Sequence, residues 1–153
     1  MKIVVTGGRG FIGSHFVEEC LKKEWQIIDI DCMTYAAHDK LPWDDHKNYK
    51  LIKKDIATIK SLPKCDYVVN FAAESHVDNS IRDTEPFIHS NILGVHNLLQ
   101  LVRGKRKYDR PLFLQISTDE VYGDIEEGSF LETDILKPSN RSIDFSTDSE
   151  FSS

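Results

Sequence analysis

Three features predict an α/β fold, a doubly wound parallel sheet of five strands in the order 3-2-1-4-5. Short, continuous apolar runs recur along the chain, as in strands covered on both faces. Segments with helical apolar spacing lie between several of them. The first run, Ile3-Val4-Val5, passes straight into a glycine-rich turn, and a helical stripe follows.

That opening stretch organises the rest. Gly7, Gly10 and Gly13 stand at G-x-x-G-x-x-G spacing between a strand and a helix. One glycine permits the tight turn, one lets a pyrophosphate approach the backbone, and one lets the helix pack close to the strand. The free N–H groups of the helix N-terminus then face the phosphates. In this context the motif predicts nucleotide binding. The helix carries an apolar stripe of Phe11, Ile12, Phe16, Val17, Cys20 and Leu21 and runs to about Lys23.

Trp25 to Ile30 is the second strand, and Asp31 falls at its tip, 18 residues after Gly13. A carboxylate there accepts ribose hydroxyls and repels a 2′-phosphate, which favours NAD over NADP. Arg9 could attract a 2′-phosphate, but is expected to be solvated. Thr34 to Asn48 is polar, contains Pro42 and reads as loop. Tyr49 to Lys54 is the third strand; Asp55-Ile56 at its end fits an adenine frame or an ordinary solvated acid. Ile59 to Leu62 is expected as a short helix. Asp66 to Phe71 is the fourth strand, and Ala72-Ala73 at its carboxyl end would let a cofactor lie against the backbone or let a helix pack closely.

Glu85 and Pro86 open a long helix through Val102, with proline suited to its first turn and Gly104 to its end. The basic residues from Arg103 to Arg110 suit a helix C-terminus. Leu112 to Ile116 is the fifth strand. Beyond it comes Ser117-Thr118-Asp119-Glu120-Val121-Tyr122-Gly123, where ligands sit in open α/β sheets. Two carboxylates in one pocket can be driven to different pKa values, one donating a proton and the other accepting.

Composition narrows the partners. The net charge of −6 argues against a general nucleic-acid binder, and no apolar run approaches membrane-spanning length. The N-terminus reads as a strand and not as a signal peptide. Cys20, Cys32 and Cys65 have no C-x-x-C spacing, which fits a reduced, cytoplasmic protein. No metal constellation is evident; His76 and the other histidines read as polar contacts.

These motifs together resemble the extended short-chain dehydrogenase/reductase family, and within it the dTDP-glucose 4,6-dehydratases. The resemblance is carried by Thr6 to Gly13, Asp31 with Thr34-Tyr35-Ala36, and Asp55-Ile56. It continues through Asn70 to Ile81, Asn91-Ile92 with Gly94, Ser117 to Asp124, and Glu132-Thr133 through Asn140. It implies a Rossmann domain binding NAD. Gly7, Gly10, Phe11, Ile12 and Gly13 would line the pyrophosphate turn, and Asp31, Cys32, Met33 and Thr34 the adenosine ribose. Asp55 and Ile56 would hold adenine. Phe71, Ala72, Ala73, Glu74 and Ser75 would run beneath the cofactor, with Ser90 adding a hydroxyl where the family tends to carry Thr. Ser75 and Thr118 would contact a nucleotide sugar such as dTDP-glucose. In the family mechanism NAD takes hydride from C4 and later returns it to C6. The residue matching Glu120 removes the C5 proton, and the one matching Asp119 protonates the departing 6-hydroxyl. The Asp-Glu pair separates dehydratases from most epimerase relatives.

After Asn140 the resemblance ends. The family continues into a Tyr-x-x-x-Lys helix, whereas here no Tyr follows Tyr122 and no Lys follows Lys137. Tyr49 and Lys53 have the spacing but lie in a strand, where residues four apart are separated by about 13 Å. Residues 1–140 therefore read as the NAD-binding domain, and 141–153, a Ser-rich stretch, as a disordered, unrelated tail. The switch suggests a frameshift or truncated reading frame. The expected function is a dehydratase-like chain, inactive alone; a catalytically silent NAD-binding module and an epimerase relative are the alternatives. The family's homodimer, built on the Pro86–Val102 helix and the Tyr-Lys helix, is doubtful for this chain.

Overall fold

The computed structural model describes residues 1–75, 83–118, 121–123, 125 and 127–137. By its internal contacts the chain divides into two units, Met1–Ile116 and Ser117–Ser153. The first unit holds a parallel sheet built from β1 (Lys2–Thr6), β2 (Gln26–Asp31), β3 (Tyr49–Lys53), β4 (Tyr67–Asn70) and β5 (Leu112–Gln115). The order is β3-β2-β1-β4-β5, as the sequence predicts. Its register pairs Val4 with Ile28 and with Val68, so the most apolar positions meet at the centre.

Alternation along the strands sends side chains to two cores. Val4, Ile28, Ile30 and Val68 face one side with Ile56, Ile59, Leu62, Leu98 and Val102. Ile3, Val5, Ile27 and Val69 face the other with Val17, Cys20 and Leu21 of helix α1 (Phe11–Lys22). Burial on both faces is why these strands read as unbroken apolar runs.

The long helix, α2, forms continuously from Glu85 to Arg103, but not as one regular α-helix. Glu85–Phe87 and Val95–Arg103 are α-helical, and Ile88–Gly94 between them is wound as a π-helix. Gly94 lets α2 pack closely on the loop after β3: a Cβ there would lie 2.6 Å from Ile56 Cδ1, and the Ile56 side chain would have to shift. The expected helix at Ile59–Leu62 does not form. Ile59 and Leu62 are buried in the core, and their carbonyls are satisfied from α2 and beyond its end instead. Asn97 Nδ2 donates to Ile56 O at 2.7 Å and Ile59 O at 2.9 Å, and Lys105 Nζ donates to Leu62 O at 2.7 Å. With those acceptors filled, no helical hydrogen-bond ladder is needed.

Arg9 is not solvated, contrary to expectation. Its side chain is 1 % exposed and runs beneath the glycine turn. The guanidinium donates to Asp44 and, through Nε, to His38 O at 2.8 Å, while His38 N–H returns a bond to Arg9 O at 2.9 Å. The loop before β3 is thereby strapped to the turn. Beside it, Asp29 is fully buried and accepts from Gly8 N–H at 3.0 Å and Tyr49 Oη at 2.8 Å. Burial pushes the Asp29 carboxyl up to about 7, with Asp31 adding to the rise and the bonds from Tyr49 and Gly8 opposing it.

All three cysteines are free; Cys20 and Cys65 are buried and Cys32 is exposed. Among the described residues no helix is long and apolar enough to cross a membrane.

Two outcomes follow from these contacts. Because the folded-state pKa of Asp29 is raised, the folded chain holds that proton more tightly than the unfolded chain. The contribution of Asp29 to stability is therefore full below its ordinary pKa of 3.8 and is lost as the pH rises through about 7. At neutral pH the loss is on the order of 4 kcal/mol. Asp29→Asn keeps an acceptor for Gly8 and offers an amide donor to the Tyr49 oxygen. In denaturant titrations from pH 4 to 7.5 its stability should rise relative to the parent as pH increases; parallel curves would disprove the assignment. Separately, a Cβ on Gly13 would lie 2.2 Å from Gly7 O. Gly13→Ala should cost about 1–3 kcal/mol, read as a lower thermal midpoint.

Candidate functional site

A cleft opens along the carboxyl ends of β1, β2, β3 and β4, where α/β sheets place their ligands. It is lined by Gly7 and Gly10 from the turn, Ile30 to Cys32 and Thr34 after β2, and Ala36 and Ala37 from the loop. Lys54 to Ile56 after β3, Phe71 to Glu74 after β4, and Ser90 of α2 complete it. It encloses about 630 Å³ including its open mouth.

The floor is the turn. Gly7 has φ +72°, and a Cβ there would lie 2.6 Å from Ala72 N, so the turn and the backbone after β4 are in direct contact. Gly10 precedes α1 with extended backbone, and no side chain caps the helix. The first turn of α1 holds no acidic residue, while Phe11 and Ile12 are 74 % and 63 % exposed. A 12-residue helix thus presents uncapped N–H groups and the positive end of its dipole beside the cleft.

Asp31 forms one wall. Its Oδ2 accepts from Arg9 N–H at 3.0 Å and its Oδ1 from Met33 N–H at 2.7 Å. Each carboxylate oxygen carries one backbone bond and keeps lone-pair capacity for a ligand hydroxyl. Met33 holds a positive φ of 60° in making this contact. Arg9 contributes its backbone here, and its charge is committed to Asp44, away from the cleft lining.

Asp55 and Ile56 form the far wall. Asp55 Oδ1 accepts from Ala57 N–H at 2.8 Å, and Oδ2 lies 2.6 Å from His89 Nε2 of α2. After β4, Asn91 clamps the chain by its side-chain amide. Oδ1 accepts from Glu74 N–H and Nδ2 donates to Glu74 O, both at 2.9 Å. His89, Ser90 and Asn91 all lie in the π-helical turn.

Of the residues expected around a cofactor, Gly7, Gly10, Asp31, Cys32, Thr34, Asp55, Ile56, Phe71, Ala72, Ala73, Glu74 and Ser90 are gathered in this cleft. Gly13 lies beneath the turn; Phe11, Ile12, Met33 and Ser75 are outside the lining. Thr118 belongs to the second unit, is exposed, and its carbonyl lies 3.5 Å from Val121 N. In that unit Tyr122 and Phe130 stack with ring centroids 5.1 Å apart. Asp119, Glu120 and His76 fall outside the described residues. Sequence reasoning assigned no site role to Ile30, Ala37, Lys54 or His89, and it named Ala36 and Asn91 only as part of the resemblance. His89 and Asn91 lie in the π-helical turn, which no apolar spacing signals.

Similarity to known proteins follows the same lines. The GDP-mannose 4,6 dehydratase family matches residues 4–141. The low-salt glycan biosynthesis protein Agl12 of Haloferax volcanii is 44% identical over 147 residues, covering 92% of this chain and 46% of that protein. Among solved structures, a double mutant of the dTDP-glucose 4,6-dehydratase DesIV from Streptomyces venezuelae, with NAD and DAU bound, has a TM-score of 0.76 at 35% identity. The match covers 90% of this chain and 46% of DesIV. The UDP-N-acetylglucosamine 4-epimerase of Methanobrevibacter ruminantium, in complex with UDP-N-acetylmuramic acid, reaches the same TM-score at 27% identity, covering 90% and 44%. The chain spans about half the length of the curated relatives it matches. With the glycine turn, the parallel sheet and nearly the whole of its length inside the matched region, the chain belongs to the GDP-mannose 4,6 dehydratase family.

Proposed function

We propose that the chain is the NAD-binding part of a nucleotide-sugar 4,6-dehydratase acting on dTDP-glucose or a close analogue. The observation that carries the reading is the single cleft that joins an uncapped helix N-terminus, the Asp31 carboxylate and the Asp55-Ile56 wall. The spacing suits a dinucleotide: an anion site in the middle, a diol acceptor beside it, and a flat apolar-and-acid slot for a base.

The residues fit that cofactor on their own chemistry. N–H groups of the first turn of α1 would hold the pyrophosphate. Asp31 would accept the adenosine ribose hydroxyls, and the small Ala72 and Ala73 in the cleft lining would let the cofactor lie against the backbone after β4. When bound, a nicotinamide dinucleotide supplies reversible hydride acceptance. In this reading Thr118 orients the sugar 4-hydroxyl, Glu120 takes the C5 proton, and Asp119 protonates the departing 6-hydroxyl. Asp119 and Glu120 favour a dehydratase over the epimerase reading, which the shared fold leaves open.

Two measurements test the reading. Calorimetry should show NAD binding tighter than NADP, because a 2′-phosphate would meet the Asp31 carboxylate. Asp31→Ala should weaken NAD by about 1–2 kcal/mol and narrow the gap; equal or tighter NADP binding by the parent would refute the role of Asp31. Next, the 153-residue chain should not convert dTDP-glucose to the 4-keto-6-deoxy sugar. The C5 proton becomes acidic only once C4 is a ketone, and forming the ketone needs a base at the 4-hydroxyl. General-base help is worth about 10²–10⁴-fold, and the Thr118 hydroxyl is too weak a base at neutral pH. The keto product, followed by mass or alkaline absorbance, should be absent, and should appear when a chain extended beyond Asn140 carries Tyr-x-x-x-Lys. Turnover by the 153-residue chain near that of a full-length dehydratase would contradict this account.

A further inference from the structure

The contact between His89 and Asp55 stands out because the fold does not need it. The loop after β3 is already tied to α2 by the two bonds from Asn97 and by the packing of Ile56 against Gly94. The His89–Asp55 pair adds a partly exposed side-chain contact at the rim, with side chains 42 % and 35 % exposed, a kind of contact that contributes little to stability. It does constrain one thing strongly, the orientation of the Asp55 carboxylate. Ala57 N–H holds Oδ1 at 2.8 Å and His89 Nε2 holds Oδ2 at 2.6 Å. Pinned at both oxygens, the group has no freedom to rotate, and its remaining lone pairs stay aimed from the cleft wall. A carboxylate only accepts, so His89 Nε2 carries the proton.

We propose that His89 is a positioning residue for base recognition, fixing Asp55 so that it accepts a hydrogen bond from the exocyclic amine of adenine. The inference rests on the dinucleotide reading of the cleft and adds to it a base-selecting pair. Asp55 lines the cleft directly, whereas His89 is not among the cleft-lining residues and shares with Asp55 the lining of an adjoining hollow. An amine at the purine 6-position donates to the fixed carboxylate. A 6-oxo group there would place two acceptors face to face and be rejected. His89 occupies the π-helical turn, a winding often found at functional sites.

The test compares NAD with nicotinamide hypoxanthine dinucleotide, which replaces the 6-amine by an oxygen, by calorimetry on the full 153-residue chain. The parent should prefer NAD. His89→Ala should weaken NAD by about tenfold and leave the hypoxanthine analogue within about twofold, so the preference collapses while the thermal midpoint stays put. His89→Gln, which keeps an N–H donor at similar reach, should restore most of the preference. Equal losses for both ligands in His89→Ala, or no loss for either, would overturn the role of His89 while leaving the dinucleotide reading intact. A parent chain that binds neither dinucleotide would overturn that reading, and the base-selecting pair with it.

Discussion

Close approach between the glycine turn and its surroundings is the constraint on which the cleft depends. Gly7 meets the backbone of Phe71-Ala72, Gly13 meets the Gly7 carbonyl, and a Cβ on Gly8 would lie 2.4 Å from Asp29 Oδ1. Side chains at these positions would separate β1 from β4 and α1 from the sheet. The contacts fix where the N-terminus of α1 lies relative to the ends of β2 and β4. An anion site at a helix N-terminus is common chemistry; its placement beside a carboxylate and a base slot comes from this packing.

The same packing explains the polar residues below the turn. Gly8 N–H and Arg9 N–H are the donors that a tight turn leaves unpaired, and β2 supplies the acceptors through Asp29 and Asp31. Burying two acids side by side is costly. Part of the answer is that burial and the neighbouring Asp31 lift Asp29 toward neutrality. Tyr49 and the Arg9–Asp44 strap fill the remaining hydrogen-bonding capacity and seal the region from below. Asp31 keeps its outward face for the cleft.

The sheet order, both cores and most of the cleft lining were legible in the sequence, because they follow from local rules. Strands buried on both faces announce themselves as apolar runs, and the glycine spacing needs no distant partner to be read. What was not legible depends on partners far along the chain. Arg9 reads as a solvated cation in a loop until Asp44, 35 residues on, closes over it. Ile59 to Leu62 has helical apolar spacing, yet Asn97 and Lys105 take the carbonyls that would define its end conditions. The π-helical turn leaves no mark in apolar periodicity, so His89 and the Asn91 clamp escape a reading based on pattern. The family resemblance supplied what periodicity could not, the roles assigned to Thr118, Asp119 and Glu120.

Every described residue lining the cleft comes from Met1–Ile116, whereas the Thr118-Asp119-Glu120 motif begins after that unit ends. On the proposed reading, cofactor binding and chemistry therefore draw on different stretches of the chain. The groups suited to a pyrophosphate, an adenosine ribose and an adenine base are held by contacts internal to the first unit: the turn against β4, Asp31 under two backbone N–H groups, Asp55 between Ala57 and His89. Among the described residues none of these contacts reaches beyond Ile116. On that reading, the groups that would recognise an adenosine are preorganised, and their ordering costs are met during folding. On the proposed reading, substitutions at Asp31, Asp55 or His89 would alter cofactor choice and substitutions at Thr118, Asp119 or Glu120 the chemistry, so the two sets should act on binding and turnover independently.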